Sequence, residues 1–139
     1  MNSQVEWHPL SEGEIGWIAE LTARAQSLGV DIADPKSIEA WFDTMLTAVE
    51  DGAQPAAISN DVVNLTAIAV GEHLRAKLGL QWRIFSDEQG ADLCLHTPAL
   101  NWTLFPQSST AKRWAAHEKG WIVRFIDWAS DNFGKPVHH

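Results

Sequence analysis

The stretch from Leu78 to Arg113 constrains the fold most, because it has the pattern of consecutive β-strands. Its sequence is LGLQWRIFSDEQGADLCLHTPALNWTLFPQSSTAKR. Leu80, Trp82 and Ile84 alternate with their neighbours, which is the period-two pattern of a strand with one buried face. The sequence therefore predicts a small sheet against which helices from the rest of the chain bury their apolar sides.

Turn signals divide this stretch into three strands. Residues 86–90 predict a hairpin connection, residues 92–96 a return strand, and residues 97–101 a second turn. Residues 102–105 predict a third strand, which Pro106 stops. Two short connections in succession indicate an antiparallel meander, because a parallel return needs about a dozen residues or more.

Helix signals dominate the chain before these strands. Ser11 and Glu14 match a capping box, so we expect a first helix to begin there. Asp34 followed by Pro35 matches an N-cap with proline at the first helical position, which predicts a second helix. The second helix has a broad apolar face formed by Ile38, Trp41, Phe42, Met45, Leu46 and Val49.

A third helix is predicted to run towards Lys77, with Ser59, Asn60 and Asp61 as competing N-caps. Its apolar residues point in several directions, so most of this helix should be buried. Gly71 in its middle costs about 1 kcal/mol relative to alanine. A close approach by another backbone would explain this glycine.

The chain after the strands predicts one or two further helices. Ser108 or Ser109 can cap a helix through Trp114, Gly120 interrupts it, and a last helix covers residues 121–132. A chain of 139 residues fits one domain. We therefore predict a single α+β domain: three N-terminal helices, a three-stranded antiparallel β-meander, and one or two C-terminal helices packed on one sheet face.

The charge of the chain disfavours two classes of partner. A formal net charge of -8, with ten Lys and Arg, would repel a nucleic-acid backbone and an anionic membrane surface. No apolar run approaches the roughly 18 to 20 residues of a spanning helix. We expect a protein partner, with a homodimer as one form of it, and neither nucleic acid nor membrane.

The cytoplasm is the expected compartment. Residues 1–14 lack the basic start and apolar segment of a secretory signal. Cys94 is the one cysteine, which excludes an internal disulfide and fits a reducing environment. His138 and His139 are native residues or a shortened tag, and they enter no site hypothesis.

Nucleophilic and metal chemistry have weak signals in this sequence. Cys94 and His96 alternate onto one strand face, and a catalytic thiolate needs such a base, but a small residue on a partly covered face is the favoured interpretation. The acidic and histidine residues that could bind a metal match no known ligand spacing, and no cofactor is indicated. These metal candidates are Asp87, Glu88, Asp92, His96 and His117.

Two groups of polar residues border the strands. Glu72 and His73 lie on the third helix, where a buried pair would be either a satisfied core network or an acid/base dyad. Ser108, Ser109, Lys112 and Arg113 place hydroxyls and cations at a helix start, which would be either a plain cap or an anion site. Arg83 and Asp92 predict a cross-strand pair.

The tryptophans near the C-terminus form a third candidate. Trp121 and Trp128 share one flank of the last helix, and Trp114 would share it if the two C-terminal helices ran in line. An exposed indole pair would mark a partner surface, whereas burial under the N-terminal helices is the alternative.

The central part of the chain, about residues 60–115, resembles an uncharacterised bacterial domain family, domain of unknown function 3806 (DUF3806). The resemblance implies an α+β domain in bacterial proteins and assigns no reaction, so it carries over no catalytic residue. The residues that support it are Gly71-Glu72, Leu78-Gly79-Leu80, Trp82, Asp87, Gly90, Asp92-Leu93, Phe105-Pro106 and Lys112-Arg113.

Two functional hypotheses follow from the sequence. The first is a non-catalytic protein-interaction module, such as a neutralising, immunity-type or accessory partner, whose acidic surface steers association. The second is an enzyme or small anionic-ligand binder. Its pocket would lie between Glu72 with His73 and the helix start at residues 108–113.

Overall fold

A computed structural model describes residues 5–97 and 102–133, which form five α-helices, one short 3-10 helix and a sheet. None of these helices is both long and apolar enough to span a membrane. Residues 98–101 of the predicted second turn and the terminal histidines lie outside the described residues. The elements are β1 (Glu6–His8), α1 (Glu12–Ser27), α2 (Pro35–Glu50), the 3-10 helix (Ala56–Ile58), α3 (Ser59–Leu78), β2 (Gln81–Asp87), β3 (Gly90–Thr97), β4 (Trp102–Leu104), α4 (Pro106–Ala115) and α5 (Ile122–Phe133).

The α+β class is confirmed, but the strand count is corrected from three to four. The sheet has the order β1-β2-β3-β4, and each neighbouring pair is antiparallel. The predicted meander corresponds to β2, β3 and β4. β1 has three residues with no strand pattern of their own, and it exists because Trp7 and its neighbours pair with β2 opposite Phe85.

The hairpin between β2 and β3 is tighter than predicted. Asp87 pairs with Gly90, so the turn consists of Glu88 and Gln89 alone, and the prediction of a five-residue connection was wrong. Gly90 has a φ of 139°, a conformation that an L side chain rarely adopts. This glycine therefore allows the strands to pair up to the turn.

The helix starts were predicted with mixed success. Ser11 forms the predicted capping box with Glu14, and Asp34 caps α2. No side chain caps α3, because the 3-10 helix leads directly into it. α4 begins at Pro106, so the two serines predicted as its caps lie within its first turn.

Helix α3 occupies the centre of the molecule. It packs against α1, α2, α4 and α5, and nine of its residues are buried, as its non-periodic apolar pattern predicts. The expected packing of the C-terminal helices on a sheet face needs correction: α4 contacts mainly α3, and α5 contacts α2 and α3. The reason is that Ile122, Ile126 and Ala129 of α5 are fully buried in the core that these helices share.

Candidate functional site

A cleft of about 640 Å³ opens between the β2–β3 hairpin and helices α4 and α5. This volume lies within the roughly 300 to 1,000 Å³ of typical ligand pockets. Phe85 of β2 and Phe105 before α4 line it and meet edge to face, with ring centroids 5.3 Å apart. Phe125 and Trp128 of α5 also line it, so the cleft has aromatic walls.

The charged residues of the cleft lie on opposite sides of it. Asp87 and Asp92 belong to the hairpin, whereas Lys112 belongs to α4. None of the three forms an ion pair with any residue that the structure describes. The predicted pair of Arg83 with Asp92 is absent, because Asp92 lies opposite Phe85 and the Arg83 guanidinium donates to Gln81 and to the Trp82 carbonyl.

The predicted anion-binding residues separate in the structure. Ser108, Ser109 and Lys112 line the cleft. Arg113 turns away from it, with its guanidinium carbon 5.5 Å from the centre of the Trp121 ring. Its Nε lies 3.5 Å from a carboxylate oxygen of Glu118. The helix start therefore contributes one cation to the cleft and not two.

Glu72 and His73 do not line the cleft, so the predicted pocket that joins them to the start of α4 does not form. Glu72 accepts hydrogen bonds from Trp82 Nε1 at 2.7 Å and Arg75 Nε at 2.8 Å. Burial raises the pKa of Glu72, but these bonds outweigh it and hold the pKa below its usual value. His73 donates from Nδ1 to the Ile32 carbonyl at 2.8 Å. The two side chains thus serve separate contacts and form no dyad.

Gly71 and Trp82 explain why Glu72 is held in this position. A Cβ on Gly71 would lie 2.2 Å from the Trp82 indole, so the ring rests directly on the α3 backbone. The same indole donates its N–H to Glu72. The expectation of a passing backbone at Gly71 is corrected: the group that approaches is an aromatic side chain. Gly71, Glu72 and Trp82 together attach α3 to β2.

Cys94 and His96 lie on a covered face of the sheet. Cys94 is fully buried, and burial raises the pKa of its thiol to about 11, which keeps it protonated at neutral pH. His96 stacks on the Trp7 ring at a centroid distance of 4.4 Å, and Trp7 Nε1 donates to Thr103 Oγ1 at 3.0 Å. In the described part of the chain, no three His, Cys, Asp or Glu side chains cluster to hold a metal.

The three predicted interface tryptophans differ in exposure. Trp121 is 2% exposed, Trp114 is half-buried against Phe42, and Trp128 is 50% exposed. They therefore do not form one surface. Trp128 instead contacts Phe133.

A second exposed tryptophan, Trp102, joins Trp128 through Phe133. Trp102 is 42% exposed, and its ring centroid lies 5.0 Å from that of Phe133, which lies 5.9 Å from that of Trp128. We call Trp102, Trp128 and Phe133 the aromatic surface; it adjoins the cleft at Trp128. Neither residue was predicted as part of an interface: Trp102 was expected only as a residue of the third strand, and Phe133 follows the expected end of the last helix.

Two acidic residues of α2 hold the start of α5, a role that was not predicted from the sequence. Glu39 accepts a hydrogen bond from the Val123 amide at 3.0 Å, and Asp43 accepts one from the Gly120 amide at 3.1 Å. Partial burial raises the pKa of Asp43, and the Gly120 bond only partly offsets this. One signal in the sequence could have indicated this role. Glu39 and Asp43 are four residues apart and so share one side of α2, while α5 has no capping residue of its own.

The sequence model of a domain of unknown function, DUF3806, matches residues 43–125, which is more than half of the chain. The chain belongs to the DUF3806 family. No curated protein and no solved structure matches it.

The DUF3806 match is longer at both ends than the 60–115 region of the resemblance. It begins at Asp43 on α2 and ends at Phe125 on α5, so it includes both partners of the contact between Asp43 and Gly120. The unit of Gly71, Glu72 and Trp82 also lies within it. β1, α1 and Trp128 lie outside the match, so the cleft combines DUF3806 residues with a tryptophan beyond them.

Proposed function

We propose that this DUF3806 chain is a non-catalytic protein-interaction module that binds a partner protein through its aromatic surface. The observation that carries the proposal is the exposure of two tryptophans, Trp102 at 42% and Trp128 at 50%, joined by Phe133 beside an open cleft. Tryptophan is enriched among interface hot spots because burying an indole removes much apolar area from water.

The charge and the site chemistry support the same proposal. A net charge of -8 would accelerate association with a basic partner, which suits a neutralising, immunity-type or accessory protein. A buried, protonated Cys94 thiol and a Glu72 carboxylate engaged by Arg75 and Trp82 are poor candidates for a nucleophile and a base.

The test is partner capture by the tagged full chain and by its double variant Trp102→Ala with Trp128→Ala. Ile15→Ala is the matched control, because Ile15 is an exposed apolar residue on α1, 56% exposed. We expect the wild-type chain and the control to retain the same partner, and the double variant to lose it by more than about tenfold in affinity.

Light scattering on the same three proteins tests the homodimer form, which would appear as a doubled mass that the double variant loses. A folded double variant with unchanged partners and unchanged mass would refute the proposal.

A small-ligand binder is the second candidate. Ser108, Ser109 and Lys112 favour it, because they line one side of the cleft. A simple anion would be repelled by Asp87 and Asp92 across the cleft, so this candidate ranks second. A rise in melting temperature with inorganic phosphate, abolished in Lys112→Ala, would support it, and no rise would reject it.

A further inference from the structure

One edge of β3 is open where it borders the cleft. β2 pairs with β3 along its length, from Gly90 at the turn to His96. On the other side of β3, β4 pairs with residues 95–97 alone, because the chain leaves the sheet for α4 at Pro106. Among the described residues, 91–93 therefore have no strand partner on this side.

The backbone groups at this edge point away from β2. In antiparallel pairs, opposite residues alternate between exchanging two hydrogen bonds with each other and directing their groups outward. Across the two-residue turn, Asp87 and Gly90 exchange two backbone hydrogen bonds with each other. Ala91 and Leu93 therefore direct their amides and carbonyls away from β2. No other described residue forms a backbone hydrogen bond with these groups.

The cleft places this edge opposite a helix. Gly90, Ala91 and Asp92 line one side of the cleft, and Ser108 and Lys112 of α4 line the other. An edge with unpaired amides and carbonyls is a template for another strand. The volume of about 640 Å³ leaves room for a short extended chain, whereas the α4 wall hinders the entry of a whole sheet edge from a second copy.

We propose that an extended peptide segment of a partner protein binds in the cleft and adds a strand to the edge of β3 at residues 91–93. This inference rests on the proposed function and specifies the partner. The peptide would exchange backbone hydrogen bonds with Ala91 and Leu93, as in other cases of strand addition.

The side chains of the cleft specify the composition of the peptide. Asp87 and Asp92 have no ion-pair partner among the described residues, so they fit a Lys or Arg of the peptide. Phe85, Phe105 and Trp128 fit an apolar or aromatic residue. Since strand side chains alternate between faces, the cation and the apolar residue would stand two positions apart. The net charge of -8 favours such a basic segment.

The probe is a displayed library of random peptides of about ten residues, long enough for one strand. We select binders on the immobilised full chain and measure their affinity by fluorescence anisotropy. Ala91→Pro removes the outward amide and leaves the pairing with β2 intact, since proline is tolerated where a strand amide faces outward. Ala91→Val keeps the amide and is the matched control.

We expect the selected peptides to bind Ala91→Pro about tenfold or more weakly than wild type, and Ala91→Val within about twofold. Hydrogen exchange on the wild-type chain provides a second measurement that requires no variant. The amides of Ala91 and Leu93 should exchange more slowly when the peptide is bound.

The outcomes separate this inference from the proposed function. No enriched peptide, equal binding to Ala91→Pro, unchanged exchange at both amides, or a chain dimer that Ala91→Pro abolishes would overturn strand addition. If captured partners still depend on Trp102 and Trp128 in any of these cases, the proposed function stands. If the two amides become protected while Trp102→Ala with Trp128→Ala changes no partner, strand addition is supported and the aromatic surface fails as the binding site.

Discussion

At the scale of single residues, the contact of Trp82 with α3 restricts position 71 to glycine. The indole ring rests where a Cβ on Gly71 would lie, 2.2 Å from the nearest ring carbon. It also donates its N–H to Glu72, so packing and hydrogen bonding restrain the same side chain. The Glu72 carboxylate thus gives the largely buried Trp82 N–H an acceptor, which avoids the cost of leaving that donor unpaired.

We predict that Gly71→Ala lowers the free energy of unfolding by about 1 to 3 kcal/mol, because the added methyl overlaps the Trp82 ring. Gly16→Ala is the matched control, since Gly16 lies in helix α1 with nothing within 4 Å of an added Cβ. The control should stabilise the chain by about 0.5 to 1 kcal/mol through helix propensity. Urea denaturation measures both. Stabilisation of both variants alike would contradict the close contact.

At the scale of elements, the start of α5 depends on side chains from α2. The residues that precede α5 are Lys119, Gly120 and Trp121, which supply no capping oxygen. Glu39 and Asp43 supply it from the neighbouring helix by accepting bonds from the Val123 and Gly120 amides. The negative charges also lie at the positive end of the α5 dipole. The same side chains therefore connect α2 to α5 and cap the start of α5.

We predict that Glu39→Ala lowers the free energy of unfolding by about 1 kcal/mol, the usual cost of losing a cap. Glu20→Ala is the control, because Glu20 is an exposed acid in helix α1 whose side chain forms no hydrogen bond or ion pair with other described residues. It should change stability by less than about 0.5 kcal/mol. Thermal and urea unfolding compare the two variants. Equal effects would show that Glu39 contributes only as a helix residue.

At the scale of the whole molecule, acidic side chains connect distant parts of the chain and make stability depend on pH. Hydrogen bonds from Lys119 and His117 lower the pKa of Glu50, and those from Arg75 and Trp82 outweigh burial to lower the pKa of Glu72. A carboxyl whose pKa is lower in the folded chain than in the unfolded chain stabilises the fold at pH values above its unfolded-state pKa. This stabilisation is lost as the pH falls through the folded-state pKa. Asp43, with its raised pKa, acts in the opposite direction: its contribution is present at low pH and lost as the pH rises.

We predict that the free energy of unfolding decreases as the pH falls below 4.5, the unperturbed pKa of Glu50 and Glu72. Glu72→Gln should flatten this dependence, because the amide keeps an acceptor for Trp82 but does not titrate. Asp43→Asn should steepen it by removing the opposing contribution. The midpoint of urea denaturation, measured between about pH 6 and about pH 3, tests the direction in which stability changes with pH. A steeper curve for Glu72→Gln would contradict the assignment.

Local signals predicted much of the fold but little of the candidate site. The capping box at Ser11 and the start of α2 at Asp34 depend on a few consecutive residues, and both are confirmed. Cleft residues Ser108, Ser109 and Lys112 were also singled out, because they belong to one helix start. Their neighbour Arg113 faces Trp121 instead, and no local pattern distinguishes the two cations.

The sequence by itself determined the α+β class and the burial of the third helix, because periodicity and capping act within one element. Residues from Gly71 to Arg113 also carried the resemblance to DUF3806, which the family match confirms. Tertiary structure alone decided the strand β1, the capping of α5 by α2 and the grouping of Trp102 with Trp128. Each of these depends on contacts between residues far apart in the chain, such as Trp7 with Thr103. Such contacts have no period in the sequence, so only packing of the whole chain creates the open edge of β3 and the cleft beside it.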